Sequence, residues 1–142
     1  MCFNSILYRN VLKWIVYFVA GYYAYTEASI GTPGDIAKLK SIGIASSPYQ
    51  CLSFWYHLRG DDIGSLRVYQ IYSTQDEDMP IWTVNGEQGT GWIYQAIDIT
   101  YKNEYYQIMF EGVRGDGRKG DIALDDITIT NSHCEGMCNC IL

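Results

Sequence analysis

The sequence predicts an all-β domain built as an antiparallel β-sandwich. Three observations carry this. Apolar and polar residues alternate along most of the chain, and no segment sustains the period of an amphipathic helix. Thirteen Tyr, four Trp and fourteen Gly suit pleated strands and tight turns. Turn clusters cut the chain into about seven or eight short apolar runs, the spacing of a sandwich. With 142 residues the chain can hold one domain with a contiguous core.

Residues 1–20 stand apart. Arg9 and Lys13 precede Trp14-Ile15-Val16-Tyr17-Phe18-Val19-Ala20, the charged and apolar parts of a signal peptide. The same run also reads as an edge strand of the domain, and a misassigned gene start is a third reading. It is too short to cross a bilayer, which takes roughly 20 apolar residues.

The strands follow in order. From Gly21 to Ser29, Tyr23 and Tyr25 share a face with Glu27. Gly31-Thr32-Pro33-Gly34 turns the chain, and Ala37 and Leu39 alternate against Lys38 and Lys40. Leu52, Phe54, Tyr56 and Leu58 form the clearest apolar row, with Trp55 and His57 on the opposite face. After Gly60-Asp61-Asp62-Ile63-Gly64, Leu66 and Val68 point inward and Arg67 outward. An acidic loop, Gln75-Asp76-Glu77-Asp78, ends at Pro80 before Ile81-Trp82-Thr83-Val84. Asn85-Gly86 signals a turn. Ile93, Gln95, Ile97 and Ile99 share one face, as do Tyr106, Ile108 and Phe110. A polar loop over 115–120 leads to a last strand, Ile122 to Thr130, with Ile127 and Ile129 pointing one way. Residues 135–142 form a tail containing Cys138 and Cys140.

Composition excludes some partners. The formal charge is −6, from 10 Lys+Arg against 16 Asp+Glu, and no basic cluster exists to attract a phosphate backbone. Nucleic acid is therefore not expected as a partner. No G-x-S-x-G, H-E-x-x-H or Ser/His/Asp set is visible. The Gly-rich loop over 115–120 precedes no helix, so it is not a phosphate cradle. His133-Cys134, Cys138 and Cys140 lack zinc-ribbon spacing. Arg59-Gly60-Asp61 and Arg114-Gly115-Asp116 both spell the integrin tripeptide, but Gly-Asp is also ordinary turn chemistry. Tyr22, Tyr23, Tyr25, Trp55 and Tyr69 can form a binding face or serve cross-strand packing, and packing is the simpler reading.

Several blocks, taken in order, resemble the MAM domain, an extracellular adhesion module. Gly21 to Ser29 is similar to the family's early strand ending in Glu-Ala-Ser. Cys51-Leu52-Ser53-Phe54-Trp55-Tyr56-His57-Leu58 with Gly60 and Gly64-Ser65-Leu66 resembles its central signature. Trp82 and the Asn85 to Trp92 loop resemble the next block. Tyr106 to Gly115 and Gly120-Asp121-Ile122-Ala123-Leu124-Asp125-Asp126-Ile127 resemble the closing one. The resemblance covers 21–134. It lacks the family's opening strand and first cysteine pair, which implies a domain incomplete at its start.

The resemblance implies a jelly-roll β-sandwich. It aligns Cys51 and Cys134 with the family's second cysteine pair; bridged, they would close a loop worth about 4–5 kcal/mol. Such a bond persists in oxidising compartments. Five cysteines leave an odd thiol. The resemblance further implies an extracellular setting, secreted or on the outer face of the plasma membrane, in a parent that can be membrane-anchored. It implies a non-catalytic role in homophilic or heterophilic protein contacts. Some members hold a structural cation, Ca or Na here, for which Glu27, Asp125 and Asp126 are the surviving ligands; no other cofactor is implied. Adjacent carboxylates on a regular strand face opposite ways, so at most one of Asp125 and Asp126 would be buried. Competing functions are a carbohydrate-binding jelly roll and an accessory domain of a larger metalloprotease or receptor.

Overall fold

The computed structural model describes residues 3–6, 14–17, 23–72 and 79–135. The ten strands are β1 (Phe3–Ile6), β2 (Trp14–Tyr17), β3 (Tyr23–Thr26), β4 (Ile36–Ser41) and β5 (Cys51–Arg59), then β6 (Ile63–Tyr72), β7 (Trp82–Asn85), β8 (Ile93–Asp98), β9 (Tyr106–Arg114) and β10 (Asp121–Thr130). They form two five-stranded sheets, ordered β1-β4-β9-β6-β7 and β2-β3-β10-β5-β8. Every pairing is antiparallel. No helix occurs among the described residues. The all-β jelly-roll sandwich expected from the sequence is the fold observed.

The core lies between the sheets and is built by alternation. Leu52, Phe54, Tyr56 and Leu58 of β5 face Leu66, Val68 and Tyr72 of β6 and Tyr106, Ile108 and Phe110 of β9. Phe54 is fully buried and joins the layers: its ring meets Phe110 at 5.1 Å and Trp82 at 5.5 Å, both edge-on. Edge-to-face packing suits the ring quadrupole and adds to the area that each ring buries.

Two of the connections that cross between the sheets are neighbouring arches. One, after β5, carries Gly60 and Asp62; the other, after β9, spans 115–120. They are zipped together: the Asp62 N–H donates to the Lys119 carbonyl at 2.9 Å, and the Lys119 N–H donates to Asp62 Oδ2 at 3.1 Å. A Cβ on Gly60, at φ +127°, would strike the Lys119 carbonyl, and one on Gly115 would strike the Asp62 carbonyl. The glycines of both Arg-Gly-Asp triplets are thus required by close backbone approach.

Two features depart from simple strand alternation. In β10, Asp125 pairs with Trp55 and Thr128 with Ser53, so Asp126 and Ile127 together oppose Phe54. This is a β-bulge, with Asp126 in the left-handed region at φ 47°. The extra residue removes the premise that Asp125 and Asp126 face opposite ways: Asp126 is exposed and Asp125 half-buried on the outer side, while Ile127 returns to the core. The second feature concerns residues 1–20. Trp14–Tyr17 pairs with β3, and Phe3–Ile6 pairs with β4, each at a sheet edge. The loop Gln75 to Asp78, Tyr22, Cys2, Cys138 and Cys140 lie outside the described residues.

One buried polar residue ties the ends of several strands. Gln50 receives hydrogen bonds at Oε1 from the Ser47 N–H and the Tyr106 hydroxyl, and its Nε2 donates to the Ala45 carbonyl and Asn131 Oδ1. Burial pushes the Tyr106 phenol up to about 12 from 10. Burial also raises Tyr56, Tyr69 and Tyr72. Above pH 10 the unfolded chain releases these protons while the native state keeps that of Tyr106 until about 12. The native state then holds more protons, and stability falls as pH rises through this window. Urea unfolding should therefore show a midpoint that drops steadily above pH 10. Tyr106→Phe should flatten part of that drop, at a cost of about 1 kcal/mol near neutrality from the lost hydrogen bond.

Candidate functional site

The outward side of the sheet β2-β3-β10-β5-β8 carries an aromatic cluster. Residues that alternate away from the core there include Tyr23 and Tyr25 of β3, Ala123 and Asp125 of β10, Trp55 and His57 of β5, and Tyr94 of β8. Trp92 precedes β8 with the same parity as Tyr94. Trp55, Trp92 and Tyr94 remain 39%, 40% and 46% exposed. Isolated exposed rings are common on proteins; a group of them on one face is a candidate contact surface.

Register explains how the rings meet. Tyr25, Ala123 and His57 lie in one cross-strand row. Alanine at the middle leaves room for rings from both sides. Tyr23 lies 6.0 Å from Tyr25 and 6.0 Å from Trp92, and Trp92 lies 5.5 Å from His57. These rings form a chain that shelters Ala123, which is buried despite pointing outward. His57 Nε2 is 3.3 Å from the Thr90 carbonyl, fixing the loop that carries Trp92. In the next row Asp125, Trp55 and Tyr94 stand side by side, and the Trp55 and Tyr94 rings are 5.4 Å apart. Tyr23, Tyr25 and Trp55 thus share one outer face, although packing is the simpler reading from the sequence. Tyr69 does not: it is buried on the other sheet, where its hydroxyl donates to Glu111. Trp92 and Tyr94 were missed, although Tyr94 must oppose the Ile93, Gln95, Ile97 row.

On the opposite sheet a buried carboxylate is paired with two cations. Glu111 of β9 is buried; it lies 3.0 Å from Arg67 Nη1 and 3.6 Å from Lys38 Nζ. Register sets this triad, since Lys38 and Arg67 both pair with Glu111.

The remaining candidates sit as follows. Glu27 Oε1 accepts from the Ser29 N–H at 3.1 Å, and Asp125 Oδ1 accepts from the Asp126 N–H at 2.8 Å. Thr26 pairs with Ile122, so Glu27 lies at the Asp121 end of β10. The step from Ile122 to Asp125 alone is roughly 10 Å. Among the described residues no three His, Cys, Asp or Glu side chains converge to hold a metal ion. The donor set Glu27, Asp125 and Asp126 does not fit a hard cation, which takes about six or more oxygens. Arg114 is 7% exposed, and its Nε donates to the Ala28 carbonyl at 2.9 Å. The second Arg-Gly-Asp triplet therefore cannot be presented. Arg59 and Asp61 of the first are exposed.

Cys51 and Cys134 form a disulfide, 83 residues apart in sequence. The corner is reinforced by the Cys134 N–H donating to Asp98 Oδ1 at 2.7 Å and by the Tyr49 and His133 rings, 4.4 Å apart. The bridge fastens the end of β10 to β5 and, through Asp98, to the edge strand β8.

Two antiparallel sheets, a corner staple and an aromatic outer face define a jelly-roll β-sandwich module. The chain matches the MAM domain, meprin/A5/mu, over residues 18–135, and it belongs to that family. It is 37% identical over 113 residues to neuropilin-1 of Rattus norvegicus, covering 78% of this chain and 12% of that protein. It is 38% identical over 117 residues to the MAM domain-containing glycosylphosphatidylinositol anchor protein 1 of Gallus gallus, covering 80% of this chain and 12% of that protein. The chain thus spans 12% of the length of each relative. Among solved structures, the K1 cleaved adhesin domain of Lys-gingipain from Porphyromonas gingivalis W83 superposes with a TM-score of 0.66 at 15% identity, covering 92% of this chain and 90% of that one. A carbohydrate-binding module of the β-sandwich superfamily superposes with a TM-score of 0.62 at 15% identity, covering 90% and 56%. At such identity these structures share the fold alone.

The staple yields a direct expectation. Replacing Cys51 and Cys134 together by Ser should lower unfolding stability by about 4–5 kcal/mol, the chain-entropy value for a loop of this length. Denaturant titration of the double variant beside the reduced and oxidised native chain checks it.

Proposed function

We propose that this domain is a non-catalytic extracellular adhesion module that binds another protein through the aromatic face of β3, β10, β5 and β8. The exposed cluster of Trp55, Trp92 and Tyr94 is the observation that carries the reading. Tyr and Trp concentrate binding energy at interface centres because they bury large rigid area at little entropic cost. Family membership supports an adhesion-type role, and the relatives are a neuropilin and an anchor protein. The disulfide supports an oxidising, extracellular location. The domain acts as one module of a longer parent, a membrane-anchored receptor in this reading.

A second reading is a carbohydrate-binding jelly roll. The same exposed rings favour it, since sugar rings stack on aromatic faces. One experiment separates the two. The chain is displayed against cell surfaces and against a glycan array, as native protein and as Trp55→Ala and Tyr94→Ala. Both residues are more than a third exposed but pack on each other, so each variant should stay folded and lose up to about 1 kcal/mol of stability. Each should lose about 2 kcal/mol of surface binding, roughly thirtyfold. Binding that resists protease treatment of the cells and appears on defined glycans selects the sugar reading. Surface binding unchanged in both variants overturns the face as the site.

A further inference from the structure

We infer that this aromatic face receives a basic side chain, arginine or lysine, from a protein partner other than a second copy of this chain. The inference rests on the proposal that the face is the docking surface, and it specifies the partner.

The argument begins with a contrast between the two outer faces. On the sheet β1-β4-β9-β6-β7, the carboxylate of Glu111, which also accepts from the Tyr69 hydroxyl, is met by Arg67 and Lys38 from the chain itself. That face supplies its own cations. The opposite face pairs carboxylates with aromatic rings and, among the described residues, supplies a cation only at its rim, Arg59. Asp125, Trp55 and Tyr94 form one cross-strand row, and Asp98 lies on the same side at the far end of β8, opposite Cys51. Directly opposed side chains have Cβ atoms about 4.5–5.5 Å apart, so a cation over the Trp55 ring is within reach of the Asp125 carboxylate. Asp125 and Asp98 accept from backbone N–H groups, and His133 lies 3.8 Å from Asp98. Among the described residues, neither carboxylate has a Lys or Arg within ion-pairing distance. Arg59 ends β5 opposite Asp121, at the rim of the face and away from this row. Arg114 is buried, and Arg118 and Lys119 belong to the arch over 115–120.

An electron-rich ring flanked by a carboxylate with no cation of its own is a receptor for guanidinium or ammonium. The ring face attracts the charge, and the carboxylate adds a charge-assisted hydrogen bond. A neutral sugar could use the rings and donate its hydroxyls to the carboxylate, but it would leave the charge uncompensated. A second copy would bring the same acidic row and a net charge of −6 against its twin. Like charges opposed across an interface are unfavourable, which selects against self-pairing. The complement of this face is a basic surface.

The test uses the whole chain and two peptides, oligo-arginine and the same length of oligo-citrulline, its neutral isostere. Tryptophan fluorescence or calorimetry measures binding at low and high sodium chloride. Oligo-arginine should bind, weaken with salt, and exceed oligo-citrulline by at least about tenfold. Asp125→Asn should weaken oligo-arginine about tenfold, while Asp61→Asn, which removes an exposed carboxylate elsewhere, should not. Equal loss in the two variants would show attraction to net charge alone and overturn the site. Sedimentation at low and high salt provides the other arm: a dimer abolished by Trp55→Ala would make the occupant a second copy and overturn the inference. If Trp55→Ala removes cell-surface binding while Asp125→Asn and salt leave it intact, the docking face stands and the basic partner falls. If surface binding survives Trp55→Ala, the docking face itself falls.

Discussion

The edge-on contact of Phe54 with Phe110 and Trp82 is the constraint on which the rest depends. It places one ring of the β5 sheet between two of the β6 sheet and so sets how closely the layers approach. Once Phe54 is fixed inward, parity fixes everything else on β5: Leu52, Tyr56 and Leu58 must follow it into the core, and Trp55 and His57 must leave. The ladders to β10 and β8 then carry that choice sideways. Asp125 and Tyr94 stand beside Trp55 because they pair with it. The outer face is thus a geometric consequence of the inner one.

The arches show a second kind of constraint. A sandwich whose neighbouring strands switch sheets needs the connecting segments to run past each other. Here the arch after β5 and the arch after β9 touch backbone to backbone, with the Asp62 side chain accepting across the gap. Arginine completes the arrangement from below, since the buried Arg114 guanidinium holds the Ala28 carbonyl. Two copies of a tripeptide that suggests receptor recognition are accounted for by packing through arginine and glycine in one case, and in the other through its glycine.

Much of this was legible in the sequence. The Leu52, Phe54, Tyr56, Leu58 row and the Tyr106, Ile108, Phe110 row are unbroken alternations, and such rows declare their buried side. The same logic placed Trp55 outward, and carried one strand further it would have placed Tyr94 and Trp92. What sequence could not show was which outward residues become neighbours. Tyr69 and Trp55 look alike as strand aromatics, yet only sheet order separates them, one beside buried Glu111 and the other beside Tyr94. The bulge was equally silent. Asp125-Asp126 reads as ordinary alternation, and only the pairing of both Asp126 and Ile127 with Phe54 reveals the supernumerary residue. The cation expected at Glu27, Asp125 and Asp126 depended on a convergence that this register does not produce.

That supernumerary residue has a bearing on how the strand can change over evolutionary time. Losing one codon inside a strand ordinarily inverts every side chain beyond the lesion. At Asp126 it would not: Leu124, Asp125, Ile127 and Thr128 already alternate correctly if the intervening residue is excised, and their partners Tyr56, Trp55, Phe54 and Ser53 wait in unbroken sequence. The strand has a built-in point where its length can drift by one without scrambling the interior, and shortening there would also relieve an aspartate held at positive φ.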